Sequence, residues 1–159
     1  EYTGHINDAG QHLLSIINDI LDFAKIEQGH VELDLKALEP KQVLETCAVF
    51  IHQRAVGSEQ ILEIQCPDRI ARVITDERRL KQVLLNLLSN ANKFTPRMGR
   101  IVLAAEVTPE GGVQFVVRDS GVGMTPPELA KALTPFGQVE NAYSRASEGC
   151  GLGLAIVDT

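Results

Sequence analysis

Gln82, Asn86 and Asn90 recur at every fourth residue, and Lys93 follows one turn later. In a helix this spacing puts all four on one face. Carboxamide oxygens suit a hard cation such as magnesium, which takes oxygen ligands and shares them with phosphate and water. Lys93 could then reach a phosphate. A solvated polar face would use the same residue types. Asparagine is a poor helix former, however, so two of them inside a strong helical pattern ask for a reason. Further on, Asp119-Ser-Gly121-Val-Gly123-Met124 follows an apolar run. Its glycines permit turns and close approach of a ligand. A carboxylate at a strand end can accept a hydrogen bond from an exocyclic amine, which adenine has and guanine lacks at that edge. A plain Asp-Gly turn would read the same way. Gly149-Cys-Gly151-Leu152-Gly153-Leu opens a last apolar stretch. Backbone amides at a glycine-rich helix start form an anion site, although a flexible hinge has the same composition. This is not the dinucleotide fingerprint, because Leu154 stands where its last glycine would be. It is not a Walker A loop, because no Gly-Lys-Ser/Thr follows.

These residues need elements to hold them. Ile6, Ala9, Leu13, Ile16, Ile20 and Phe23 alternate at spacings of three and four, which predicts a bundle helix over 2–27 with a heptad seam. Ile17, Leu21 and Ala24 widen that stripe toward a helix bundle. Gly29 ends it. Alternation at Val31, Leu33 and Leu35 predicts a strand over 30–38. Pro40 suits a first helical turn, and Val43, Cys47, Phe50 and Ile51 give the buried face of a helix ending near Gly57. Ile61, Leu62 and Ile64 make a second strand, and Val73 and Ile74 a short third. Asp76 can cap a strong helix over 77–94, with Leu80, Val83, Leu84, Leu87, Leu88 and Ala91 as its apolar face and Pro96 as its stop. Two strands follow, 100–108 and 113–118, joined by a turn at Glu110-Gly111-Gly112. Residues 125–150 lack a regular pattern and read as a long functional loop. The tail from Leu152 to Val157 starts a last helix. The order implies an α/β (α+β) two-layer sandwich with helices on one face of a sheet.

Bulk properties narrow the partners. The formal net charge of −6 argues against a nucleic-acid ligand, but a phosphate can still be held by backbone amides. Cys47, Cys66 and Cys150 are scattered, without metal-ligand spacing, and read as reduced thiols. No apolar run is long enough to cross a bilayer and no signal peptide opens the chain, so a cytoplasmic location is expected, which a membrane-anchored parent would equally allow.

Taken together, the motifs resemble those of two-component sensor histidine kinases. Leu80-Lys-Gln-Val-Leu-Leu-Asn86-Leu-Leu-Ser-Asn90-Ala-Asn-Lys93-Phe94-Thr is similar to their N box. Asp119-Ser-Gly121-Val-Gly123-Met124 is similar to the first glycine box, Thr134-Pro-Phe136-Gly-Gln to the F box, and Gly149-Cys-Gly151-Leu152-Gly153-Leu to the second glycine box. His12-Leu-Leu-Ser-Ile-Ile-Asn-Asp-Ile-Leu-Asp-Phe resembles the second helix of the dimerisation bundle. The resemblance implies a Bergerat-type ATP-binding fold, with 1–29 as part of the bundle and 30–159 as the catalytic domain. It implies ATP and Mg2+ as ligands, Asp119 on the adenine amino group, Asn90 and Asn86 on magnesium and the phosphates, and Lys93 on phosphate. Phe94, Gly121, Gly123 and Met124 would line the site. Residues 125–150 would form a lid anchored by Phe136. Arg145 would contact the γ-phosphate, and Gly149, Gly151, Leu152 and Gly153 would cradle the phosphates. A homodimer through the bundle helix and a response-regulator receiver domain are the implied partners. Related ATPases carry a glutamate at the Asn86 position that can activate water. Asn86 cannot, which favours transfer to a histidine over hydrolysis. A nucleotide-sensing pseudokinase and a hydrolysing ATPase of the same fold are the alternatives.

The chain departs from the family in four places. None of His5, His12, His30 and His52 sits in the acceptor motif, so autophosphorylation of this chain at the family's site is not expected. The family continues beyond the last helix, so the domain is expected to be incomplete. Cys150 stands where threonine is common, and a thiol is a weaker donor. Asn92 replaces a usually aliphatic residue, and the sequence offers no physical account of it.

Overall fold

Asp76 closes one strand and opens one helix, and the fold is pinned there. In the computed structural model, which describes residues 32–135 together with Ile17, Gly137 and Leu154, its Oδ1 accepts the Arg79 N–H at 3.0 Å. Its Oδ2 accepts the Asp34 N–H, also at 3.0 Å. The first bond satisfies one of the helix's orphan amides. The second ties a neighbouring strand to the same carboxylate. These two backbone donors hold the Asp76 carboxyl below the usual carboxylate range.

The described elements run β1 (Leu35–Leu38), α1 (Pro40–Gly57), β2 (Ile61–Gln65), β3 (Val73–Asp76), α2 (Glu77–Phe94), β4 (Arg100–Val107), β5 (Val113–Asp119) and α3 (Pro126–Ala132). β1 and β3 form an antiparallel ribbon, with Leu35 opposite Asp76 and Leu38 opposite Val73. A separate three-stranded sheet has the order β2-β4-β5. β2 is parallel to β4, as a crossover through α2 allows, and β4 is antiparallel to β5.

The core lies between this sheet and two helices. Ile101, Leu103 and Ala105 of β4 alternate toward the helices and are buried. Val113, Phe115 and Val117 of β5 pack beside them. Val43, Leu44, Cys47 and Ile51 come from α1, and Leu84, Leu88 and Ala91 from α2. The opposite sheet face carries cross-strand ion pairs, Arg100 with Glu63 at 2.9 Å and Arg118 with Glu106 at 2.6 Å. Such exposed pairs contribute little stability and mark a face turned to water. The two-layer arrangement is therefore the one expected.

Four details differ from the sequence reading. The expected single sheet is divided into a ribbon and a three-stranded sheet. Strand pairing starts at Leu35, because residues 32–34 are not in strand. Phe50 is 66% exposed; Leu44, Ala48 and Ala55 complete the buried stripe of α1, and Phe50 falls beside it. The expected loop from 125 opens with a helix, α3. There the Glu128 carboxylate accepts both the Thr125 N–H at 2.7 Å and its hydroxyl at 2.6 Å, while Pro126 and Pro127 fill the first turn. Thr-Pro-Pro-Glu is a helix-start signal, so this helix could have been found. The bundle helix expected over 2–27 lies outside the described residues except for Ile17, which is helical and exposed.

The Asp76 clamp has a pH signature. A carboxyl lowered by folding adds stability above its unfolded value, and that stability is lost as pH falls through the lowered value. Urea unfolding followed by circular dichroism should therefore show the parent losing stability as pH falls below the ordinary aspartate range, about 4. Asp76→Asn should be less stable at neutral pH and lose less over the same acid range.

Candidate functional site

At 100° per residue, Asn86, Asn90 and Lys93 fall within about 60° of one another, on the side of α2 opposite Leu84, Leu88 and Ala91. Burying the apolar stripe on the sheet therefore presents the carboxamides away from it. Asn86, Asn90, Lys93 and Phe94 are each half-buried. The Asn86 Nδ2 is buried with no hydrogen-bond partner among the described residues. A buried amide left open is expensive unless water or a ligand completes it. Gln82 is engaged differently from its neighbours: its Oε1 accepts the Arg79 guanidinium N–H at 2.9 Å. Among the described residues, Asn86 and Asn90 are thus the carboxamides of the expected row with no side-chain hydrogen bond.

Lys93 has no carboxylate partner among the described residues. Its Nζ lies 5.0 Å from the centroid of the Phe94 ring, within cation–π range. Burial pushes its ammonium below the ordinary lysine range. A desolvated cation without a counter-ion favours an anion beside it.

β5 brings the second half of the site. Val113, Phe115 and Val117 face the core, so Asp119, opposite Ile101 across the ladder, continues that face at the strand's end. Its carboxylate therefore stands on the α2 side of the sheet, at an exposed rim. The Gly121 N–H donates to Asp119 Oδ1 at 2.8 Å, and Oδ2 has no partner among the described residues. Gly121 sits directly on the end of α2: a Cβ there would lie 2.7 Å from the Phe94 carbonyl oxygen and 3.1 Å from its carbon. Only glycine allows that approach. Gly123 has φ +67° with open space around it, so its requirement is conformational rather than steric. Met124 is 48% exposed.

Asn86, Asn90, Lys93, Phe94, Asp119 and Gly121 thus gather along α2 and at its C-terminal end. Gly123 and Met124 follow on the adjoining loop. Phe136, Arg145, Gly149, Gly151, Leu152 and Gly153 lie outside the described residues, as does Cys150. Two contributors were missed. Ser120 closes the mouth of the β4–β5 pair: its Oγ accepts the Arg100 N–H at 2.9 Å and its N–H donates to the Arg100 carbonyl at 3.0 Å. Gln60 is buried, and Asn92 Nδ2 donates to its Oε1 at 2.6 Å. That bond is the physical account of Asn92 that the sequence lacked; a lone glutamine in a turn gave no signal of it.

The profile of the family described as "Histidine kinase-, DNA gyrase B-, and HSP90-like ATPase" matches residues 75–159. Over 158 residues the chain is 42% identical to the non-motile and phage-resistance protein of Caulobacter vibrioides, which covers 98% of this chain and 19% of that protein. It is 35% identical over 164 residues to the cell-division control histidine kinase PdhS of Brucella anthropi, covering 98% of this chain and 16% of that protein. Full-length ShkA in complex with AMPPNP superposes with a TM-score of 0.85 at 34% identity, over 99% of this chain and 32% of that one. The chain spans less than a fifth of the length of these curated relatives.

The contact of Gly121 with α2 can be tested without any ligand. Gly121→Ala forces a methyl against the Phe94 backbone and is expected to cost about 1–3 kcal/mol. Gly123→Ala meets only backbone strain, about 1 kcal/mol. Chemical denaturation of both variants checks the order.

Proposed function

The chain belongs to the histidine kinase-, DNA gyrase B- and HSP90-like ATPase family, and from that premise we propose that it is the ATP-binding catalytic region of a sensor histidine kinase. The observation that carries the reading is the seating of Gly121 on the Phe94 backbone. It joins a carboxylate suited to an adenine amine to a helix end suited to phosphate. Asp119 accepts the exocyclic amine through its open oxygen. Asn86 and Asn90 hold Mg2+ and the phosphates, and Lys93 meets a phosphate oxygen. Phe94, Gly121, Gly123 and Met124 line the pocket. Phe136 anchors the lid, Arg145 reaches the γ-phosphate, and the backbone of Gly149, Gly151, Leu152 and Gly153 cradles the phosphates.

The donor set fits the cation. Asn86 and Asn90 offer neutral oxygens to it, while the buried Asn86 Nδ2, a donor with no partner among the described residues, suits a phosphate oxygen. Bound magnesium supplies charge stabilisation at the phosphates. The residues of the chain position and orient the nucleotide. No carboxylate stands at position 86 to draw a proton from water. A neutral imidazole is already nucleophilic, so transfer to it needs alignment more than a base. This favours phosphoryl transfer to histidine over hydrolysis.

In the parent, residues 1–29 serve as part of a dimerising bundle and 30–159 as the catalytic domain. The γ-phosphoryl group passes to a histidine of that bundle and then to an aspartate of a response-regulator receiver domain. The working surroundings are cytoplasmic; among the described residues no helix is long and apolar enough to cross a membrane.

Calorimetric titration with MgATP is the direct test. Binding is expected in the parent chain and roughly tenfold or more weaker in Asp119→Ala, with MgGTP binding poorly to both. Absence of MgATP binding in folded parent chain would overturn the reading.

Lys93 adds a proton signature. An adjacent phosphate raises the pKa that burial has lowered, so binding at alkaline pH takes up protons and weakens as pH rises through the lowered value. Titrations in buffers of different ionisation enthalpy should detect this uptake on the alkaline side, growing as pH rises toward the ordinary lysine range. Lys93→Arg, which stays charged, should abolish it.

A further inference from the structure

Pro96 leaves α2 with a defect. In an α-helix the carbonyl of Asn92 would accept the N–H four residues on, and proline has none. The Thr95 carbonyl lies just beyond the last turn. Both acceptors need another donor. Gln60 supplies it: its Nε2 donates to the Asn92 carbonyl at 2.9 Å and to the Thr95 carbonyl at 2.6 Å. Asn92 Nδ2 returns a bond to Gln60 Oε1 at 2.6 Å. The Gln60 carboxamide, 8% exposed, is therefore held at both ends.

Gln60 is itself fixed by its surroundings. Its N–H donates to the Ala55 carbonyl of α1 at 2.8 Å, and the next N–H, of Ile61, donates to Gly99 at 2.9 Å. Glu59 and Met98 flank this junction in the left-handed region, with φ 52° and 62°, joined by the Met98 N–H to the Glu59 carbonyl at 2.8 Å. Non-glycine residues keep such a conformation only where the surroundings over-determine it. The two carbonyls that Gln60 grips bracket Lys93 and Phe94. Gly121, and with it Asp119, rests on Phe94.

We propose that Gln60 is a positioning residue for the nucleotide site, acting through the last turn of α2, and that Asn92 orients its carboxamide for that task. The inference rests on the ATP-binding reading above. It assigns Gln60 no contact with the nucleotide.

The test is calorimetric titration of the 159-residue chain and its variants with MgATP, at a temperature where circular dichroism shows each to be folded, with amide exchange followed at Lys93 and Phe94. Gln60→Leu removes the donor to both carbonyls. Affinity is expected to fall roughly tenfold, and exchange at these two amides to quicken. Asn92→Leu leaves both carbonyl bonds in place and is expected to lower affinity by less than about threefold. Gln60→Glu turns a donor into a carboxylate facing two carbonyl oxygens. Relative to the parent, its affinity should be worst at alkaline pH, where the carboxyl is ionised, and recover as the pH falls and the buried carboxyl takes a proton. A merely structural residue would not create that profile. Folded Gln60→Leu that binds as the parent does overturns the inference. If Gln60→Leu does not fold, the Gln60→Glu profile decides, and a profile parallel to the parent's overturns it. A parent chain that does not bind MgATP overturns the proposed function, and this inference with it.

Discussion

Everything at the candidate site depends on how α2 is held. One helix has to bury Leu84, Leu88 and Ala91 against the sheet while turning Asn86, Asn90 and Lys93 the other way. A roll of a few tens of degrees would bury a carboxamide or expose a leucine, and both errors are costly. A slide along its axis would part Phe94 from Gly121. The core fixes the roll, because close-packed side chains do not interpolate between arrangements. The ends fix the slide. Asp76 caps the first turn and ties it to Asp34. Gln60 grips the last turn through two carbonyls. The helix is held at three places by three kinds of interaction.

The electrostatic design follows from the same constraint. The chain is acidic, with a net charge of −6, yet the proposed ligand is a polyanion. Among the described residues, the candidate site would meet it with neutral amides and one lysine. Carboxamides can meet a cation or an anion without demanding a counter-charge of their own. Lys93, desolvated and stacked near Phe94, keeps its charge at a cost that an arriving phosphate would remove. Among the described residues the ion pairs lie on the outer face of the sheet, at exposed turns and in the first turns of α2, and none of them engages Lys93.

Much of this was legible in the residues. Asp76 read as a cap because a carboxylate stood before an apolar helical pattern, and it does cap. The bounds of α1 and α2 followed from Pro40 and Pro96, since proline acts through local geometry that sequence displays. The carboxamide row was visible as a four-residue spacing. The contacts that join segments distant in sequence were not visible. Nothing in Asp119-Ser-Gly121 says that Gly121 meets Phe94, and no local signal links Gln60 to Asn92, thirty-two residues away. The division of the sheet escaped for the same reason, because strand pairing is a long-range choice. Helix α3 is the exception, since its start signal was local and was passed over.

Asn92 shows why such long-range terms matter. An amide on the buried flank of a helix is a liability by itself, because its donors lose water and need a partner. An aliphatic residue there asks for nothing. Gln60 alone is equally awkward, a long polar side chain at a tight junction. Gln60 satisfies the acceptors that Pro96 leaves open, and Asn92 gives its carboxamide oxygen a donor. Exchanging either one leaves a polar end of the other without its partner, Gln60 Oε1 or Asn92 Nδ2, so the two positions are coupled. Position 92 therefore cannot be judged from its neighbours in sequence, since its chemistry is set from the far side of the core.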